Sequence, residues 1–223
     1  MKIAEIFYSV QGEGGLVGVP SVFIRTSGCN LRCAWCDTPY TSWNPEGEVL
    51  SIEAILLHVR QFQALHAVVT GGEPMIAPKI GELTRGLREL GMHVTIETAG
   101  TVFHQLDCDL MSISPKLSNS TPEGLFRSQH QRLRIQPDVL RSLMSAYEYQ
   151  LKFVIAREED LDEIEEILRA SQADRRRVLL MPEGVDAETL RERGRWIAEL
   201  CKRTGFRFSP RLHVDLWGNR RGV

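Results

Sequence analysis

Six short runs of β-branched and apolar residues, each separated from the next by a longer intervening stretch, constrain this chain more than any other feature. They are Ser21–Arg25, Ala67–Thr70, His93–Glu97, Leu110–Ser114, Leu151–Ile155 and Val178–Met181. Several of the intervening stretches have helical periodicity. Ser51 to Phe62 places Ile52, Ile55, Leu56, Val59 and Phe62 on one face, with Ser51 set to accept from the free N–H groups of a first turn. Ile80 to Leu90 reads the same way and closes at Gly91. The pattern returns in Leu161, Ile164, Ile167 and Leu168, behind an acidic Glu158-Glu159-Asp160 start that suits the positive end of a helix dipole, and again over Asp186 to Cys201. Strand and helix in alternation predict an α/β fold with parallel pairing and right-handed crossovers.

Length selects among such folds. A complete eightfold β/α barrel takes roughly 250 residues, whereas 223 residues accommodate six units with an N-terminal extension and a C-terminal tail. The expectation is therefore a partial six-unit, TIM-like β/α barrel forming a single domain over residues 1–223, with a doubly wound open sheet as the competing architecture. Either gathers ligands at the carboxyl ends of its strands. Lys116 to Pro137, rich in Ser, Gln, Arg and Pro, reads as the longest irregular insertion, a lid or a poorly ordered loop.

Charge and cysteine usage narrow the function. With 27 Lys and Arg against 29 Asp and Glu, the chain has no electrostatic footprint for direct nucleic-acid or membrane binding. No apolar run approaches the ~18 residues of a spanning helix, and the N-terminus lacks the pattern of a signal peptide, so a cytoplasmic location is expected. The cysteine count, 5, is odd, and Cys29, Cys33 and Cys36 crowd one short segment, far from Cys108 and Cys201. Clustered thiols in a reducing compartment point to metal ligation rather than disulfides. Cys108 and Cys201 match no motif and read as small buried apolar residues.

Cys29-Asn-Leu-Arg-Cys33-Ala-Trp-Cys36 follows the first parallel strand through Gly28, on a loop at that strand's carboxyl end. Three thiolates on one loop can wrap three corners of an iron–sulfur cubane and leave one iron without a protein ligand. A structural zinc site completed by Asp37 or a distant histidine, a redox CxxC pair, and plain packing also fit the spacing. Thr70-Gly71-Gly72-Glu73-Pro74 ends the second parallel strand, where two glycines permit close backbone approach and a carboxylate suits an ammonium group. Glu97-Thr98-Ala99-Gly100 and Ser114-Pro115-Lys116 end the next two. Near the N-terminus, Gln11 and Glu13 lie in a glycine-rich turn and can meet the donor-rich edge of a pterin or purine, while Arg25 can pair with a carboxylate.

The Cys-x-x-x-Cys-x-x-Cys motif resembles the signature of the radical S-adenosylmethionine (SAM) superfamily. The resemblance implies a 4Fe-4S cluster held by Cys29, Cys33 and Cys36, with SAM chelating the open iron. Reductive cleavage of SAM then gives a 5′-deoxyadenosyl radical that abstracts a substrate hydrogen. By position, Gly72 and Glu73 would hold the SAM amino group, Trp35 and Asp37 would lie near SAM, and Thr98, Ser114 and Lys116 would meet its ribose and carboxylate. The ensemble QGEG, FIR, GCNLRCAWCDT, TGGEP, SPK, RLH and WGNRRG resembles, over nearly the full chain, the 7-carboxy-7-deazaguanine synthase family.

That likeness implies conversion of 6-carboxy-5,6,7,8-tetrahydropterin to 7-carboxy-7-deazaguanine with loss of ammonia, in the queuosine and 7-deazapurine pathway. It further implies magnesium at Thr38, and a substrate site built from Val10, Gln11, Gly12, Glu13, Arg25, Thr70, His213 and Val223. A flavodoxin-like electron donor and a homodimer are expected partners. The rival readings are a glycyl-radical-type activating enzyme acting on a partner protein, and a non-catalytic metal-binding module.

Overall fold

Alternation within the strands sorts the two faces of one sheet. Val22, Ile24, Ala67, Val69, Val94, Ile96, Met111, Ile113, Leu151 and Phe153 point to one side and enter a cluster of 34 buried apolar residues. At intervening positions Arg25, Thr70, Glu97, Ser112 and Lys152 point to the other side and line a cavity. A period of two assigns one set to the helices and the other to the concave interior.

The computed structural model describes all residues from 1 to 223. Its strands are β1 (Lys2–Val10), β2 (Pro20–Thr26), β3 (Glu48–Val49), β4 (His66–Gly71), β5 (His93–Thr98), β6 (Leu110–Ile113), β7 (Tyr149–Ile155), β8 (Val178–Pro182) and β9 (Arg207–Phe208). Its helices are α1 (Pro39–Ser42), α2 (Ile52–Arg60), α3 (Ile80–Glu89), α4 (Arg127–Leu133), α5 (Pro137–Ala146), α6 (Asp160–Ser171), α7 (Ala187–Thr204) and α8 (Leu212–Trp217). The six runs expected as strands are β2, β4, β5, β6, β7 and β8, and neighbouring members of this series pair in parallel. The order β3-β1-β2-β4-β5-β6-β7-β8-β9 never reverses among the parallel strands. A doubly wound sheet needs such a reversal to place helices on both faces. An unreversed order with crossovers of one hand stacks them on one face and curves the sheet into a barrel segment. The sheet stays open, because the terminal strands β3 and β9 do not pair.

The N-terminal extension is more regular than expected: β1 runs antiparallel to β2 from Ile3 to Val10, and β3 pairs with its start. Helix ends carry the chemistry read from the sequence. Ser51 Oγ accepts from the Ala54 amide at 3.1 Å to open α2, and Asp186 accepts from the Thr189 amide at 2.8 Å to open α7. Asp160, Asp162 and Glu163 occupy the first turn of α6, with Arg169 in its last. No helix is long and apolar enough to cross a membrane. Cys201 is buried in the apolar cluster, and half-buried Cys108 packs against it.

The stretch 116–137 corrects the expectation of an irregular lid. It forms two 3-10 turns and α4, and it is bound to the cysteine loop. Ala34 donates its amide to the Ser120 carbonyl at 2.8 Å, and the Trp35 indole donates to the Asn119 carbonyl at 3.0 Å. His130, buried, accepts from the Arg32 amide at 3.2 Å through Nδ1 and meets Ser120 Oγ at 2.9 Å through Nε2. Ser120 Oγ itself donates to the Leu117 carbonyl at 2.6 Å, so the ring is neutral with its proton on Nε2. A polar composition reads as loop, yet here the polar groups are consumed in supporting the loop beside them.

Candidate active site

β2 ends at Thr26, and the chain turns through Gly28 into the cysteine loop. The Thr70–Pro74 run is zipped directly to that exit: Gly72 donates to the Thr26 carbonyl at 3.2 Å, Glu73 to the Gly28 carbonyl at 2.9 Å, and Gly28 to the Thr41 carbonyl at 2.8 Å. A Cβ on Gly72 would lie 2.1 Å from the Gly28 carbonyl oxygen and 2.8 Å from that of Thr41. The Gly-Gly pair therefore admits the chain's own backbone first, and that contact fixes the cysteine loop against the end of β4.

Glu73 makes contacts that its place in the motif does not display. Its carboxylate is fully buried, away from the cavity wall, and accepts from the Met75 amide at 3.0 Å, Thr98 Oγ1 at 2.7 Å and the Ala99 amide at 2.8 Å. Burial pushes its pKa upward, against these hydrogen bonds. Glu73 thus ties the ends of β4 and β5 together and positions Thr98.

A cavity of about 370 Å³ opens where the strands end, within the range of small-molecule sites. Trp35, Asp37 and Thr38 of the cysteine loop line it, together with Gly72, Thr98, Ser114 and Lys116. The Lys116 ammonium lies 5.7 Å from the Trp35 ring centre and donates to Ser114 Oγ at 2.8 Å, so the cation is pre-positioned over an aromatic wall. Val10, Gln11, Gly12, Glu13, Arg25 and Thr70 line the cavity from the end of β1, the loop after it, β2 and β4, and His213 and Val223 from the C-terminal segment. The three cysteines are not themselves among the residues that line it. Arg25, expected to be free for a ligand carboxylate, has its Nε engaged by Glu5 at 2.6 Å.

Sequence reasoning named the carboxylates of the interior but missed the lysine that joins them. Lys152, on β7, contacts Glu13 and lies 3.8 Å from Glu97; Glu13 also meets Arg211 at 3.1 Å, and Arg211 pairs with Asp37. Gln11 Nε2 and Thr70 Oγ1 each donate to Glu97 at 3.1 Å. Burial alone would raise the Glu13 pKa, but Lys152, Arg211 and His213 outweigh it and hold the carboxyl well below the usual range. Lys152 was legible in principle: a lysine inside Leu151–Ile155 breaks an apolar strand, and a lysine is almost never fully buried unless paired.

The donor set around the cysteines suits an iron–sulfur cluster. Burial pushes the Cys29 thiol up to about 12 and the Cys33 thiol up to about 11. Such thiols stay protonated until a metal displaces the proton. The Leu31 amide points at Cys29 Sγ from 3.4 Å, and Ser42 Oγ lies 3.3 Å from Cys36 Sγ; hydrogen bonds of this kind tune thiolate ligands. No three His, Cys, Asp or Glu side chains are gathered around a point fit for a single ion. A cubane makes no such demand, since each thiolate ligates its own iron. Asp37, the nearby fourth ligand a zinc site would use, is taken by Arg211. Thr38 Oγ1 faces the cavity and accepts from Thr41 Oγ1 at 3.2 Å, a hard oxygen that suits magnesium.

Comparisons with known proteins agree with this geometry. The sequence profile of the Radical SAM superfamily matches residues 23–124. A 7-carboxy-7-deazaguanine synthase from Rhodopirellula baltica is 45% identical, over 100% of this chain and 89% of its own length. One from Halobacterium salinarum is 42% identical, over 98% of this chain and 91% of its own. The crystal structure of QueE from Escherichia coli superposes with a TM-score of 0.70 at 28% identity, covering 95% of this chain and 94% of that one. Identity of this extent, running from the N-terminal loop through the cysteine motif to the C-terminal segment, means that the chain belongs to the 7-carboxy-7-deazaguanine synthase family of radical SAM enzymes.

Proposed function

We infer that this chain is a single-domain radical SAM lyase of the queuosine pathway that converts 6-carboxy-5,6,7,8-tetrahydropterin to 7-carboxy-7-deazaguanine, with loss of ammonia. The observation that carries this reading is the cavity itself, which joins the cysteine loop to a polar wall of carboxylates and amides at the strand ends. When bound, the 4Fe-4S cluster and SAM supply one-electron cleavage of the sulfonium and so the radical chemistry. Cys29, Cys33 and Cys36 would hold three irons of the cluster. Gly72, Trp35, Thr98, Ser114 and Lys116 would seat SAM, with the Lys116 ammonium available to its carboxylate.

The pterin presents an amine and a lactam N–H, which call for acceptors. Glu13, Glu97 and the Gln11 carbonyl supply them, and the charge network keeps Glu13 ionised. Thr38, a substrate carboxylate and water would complete the shell of a magnesium ion. The protein's share is then binding, orientation and exclusion of water. The family likeness further supports a homodimer and an external one-electron donor of flavodoxin type. It disfavours an activating enzyme or a non-catalytic metal module, since the identity to synthases extends over the whole chain.

The test is anaerobic incubation of the reconstituted protein with reductant, SAM, magnesium and the carboxytetrahydropterin, followed by mass analysis. The deazapurine acid and ammonia are expected. Cleavage of SAM with the pterin returned unchanged would overturn the reading.

A further inference from the structure

Lys152 sits at the middle of β7, between Leu151 and Phe153, which face the apolar cluster. Its own side chain turns inward and is 5% exposed. Burying an ammonium is costly unless close partners compensate, and an apolar residue would satisfy the strand without that cost. Two carboxylates compensate here. Glu13 arrives from the loop after β1 and contacts the ammonium directly; Glu97 arrives from β5 with Oε1 at 3.8 Å. The lysine is thus the one cation that reaches both.

The other charged and titratable groups facing this pair do not replace it. Arg211, from the segment before α8, meets Glu13 at 3.1 Å but also pairs with Asp37 of the cysteine loop. His213 lies against Gly12, and burial lowers its pKa, which favours the neutral ring. Glu97 otherwise has only the neutral donors Gln11 and Thr70. Gln150 and Ser112, the remaining polar side chains on this face of β7 and β6, bond each other at 2.9 Å.

We propose that Lys152 is a positioning residue of the synthase reaction: it is the shared counter-ion that keeps Glu13 and Glu97 together as two carboxylate acceptors and thereby selects a ligand edge made of hydrogen-bond donors. The assignment rests on the pterin reading above. Without the lysine, two like charges share a water-poor site, and such a pair retains one proton into the neutral range. A protonated carboxyl offers a donor where the pterin needs an acceptor.

The experiment is a titration of the anaerobically reconstituted holoenzyme with 6-carboxypterin, followed by the ligand's fluorescence between pH 5.5 and 7.5. His213 is present in every variant, so the difference from wild type is the quantity read. Lys152→Met should bind more weakly at the acid end, by up to about tenfold for each pH unit below the shared-proton pKa. Lys152→Arg should restore most of the affinity and the wild-type pH profile. In Lys152→Met/Glu97→Gln, which leaves one carboxyl of the pair, the added pH dependence should vanish. Weakening of Lys152→Met by one constant factor at all pH values, or no weakening, overturns the proposal. Lys152→Gln, read in the same way, serves if the methionine variant does not fold. Failure of wild type to bind 6-carboxypterin at all would instead overturn the pterin reading, and the role of Lys152 with it.

Discussion

Cys33 and Thr38 share one loop, and on the proposed reading they hold two different metals, so their substitutions should separate the roles. Cys33→Ala removes a cluster ligand, so the visible absorption of the reconstituted cluster and all SAM cleavage should be lost. Thr38→Ala should keep the absorption and bind SAM, while turnover falls by on the order of tenfold and requires more magnesium, as expected when one hard-ion contact is removed. Loss of absorption in Thr38→Ala would contradict the assignment. At this scale the sequence exposed the motif residues but not the contacts they make with one another. Gly72 makes room for the Gly28 carbonyl, and Glu73 is spent on backbone amides and Thr98. Both facts depend on a neighbouring strand end that local sequence does not display.

Elements support the cysteine loop from two sides, β4 through its Gly-Gly turn and the 116–137 segment through Ser120 and His130. Burial first, then Arg134 and Lys116, lowers the His130 pKa from 6.5 to about 4. The unfolded chain therefore binds a proton near 6.5 that the folded chain takes up only near 4. Stability from this group is complete above that upper value, declines as pH falls through the window, and is flat below it. Urea unfolding at a series of pH values should show wild type losing up to about 3 kcal/mol across this window relative to His130→Gln, whose amide does not titrate. Equal slopes in the two proteins would show that His130 is not the titrating group. The sequence hid this element because Ser, Asn, Gln and Arg in a row signal solvent exposure. Here their polar groups find partners in another loop.

Across the whole molecule, an open sheet is held at its mouth by the loop after β1. Gly14 donates to Ser209 Oγ beyond β9, Gly15 to Gln150 Oε1 on β7, and Leu212 donates to the Gly12 carbonyl, at 2.8, 2.8 and 2.9 Å. Gly14 has φ +75°, and a Cβ there would lie 2.3 Å from Gln150 Nε2. Gly14→Val should cost about 2 kcal/mol, from a β-branched residue forced to positive φ and the contact with a buried amide. Amide hydrogen exchange should then rise in both 11–15 and 207–212, while β4, β5 and β6 stay protected. Faster exchange confined to 11–15 would show that the loop does not brace the far edge.

The sequence by itself determined the six parallel strands, the amphipathic helices and the position of each motif at a strand end, because periodicity and capping act over a few residues and are written locally. Tertiary structure decided which side chains meet: Glu13 with Lys152 and Arg211, Glu73 with Thr98, His130 with the cysteine loop. Those pairings join segments far apart in the chain. Their strength comes from burial, where removing water makes an ion pair or hydrogen bond costly to leave unmet, and the burial of any one residue is set by the rest of the fold.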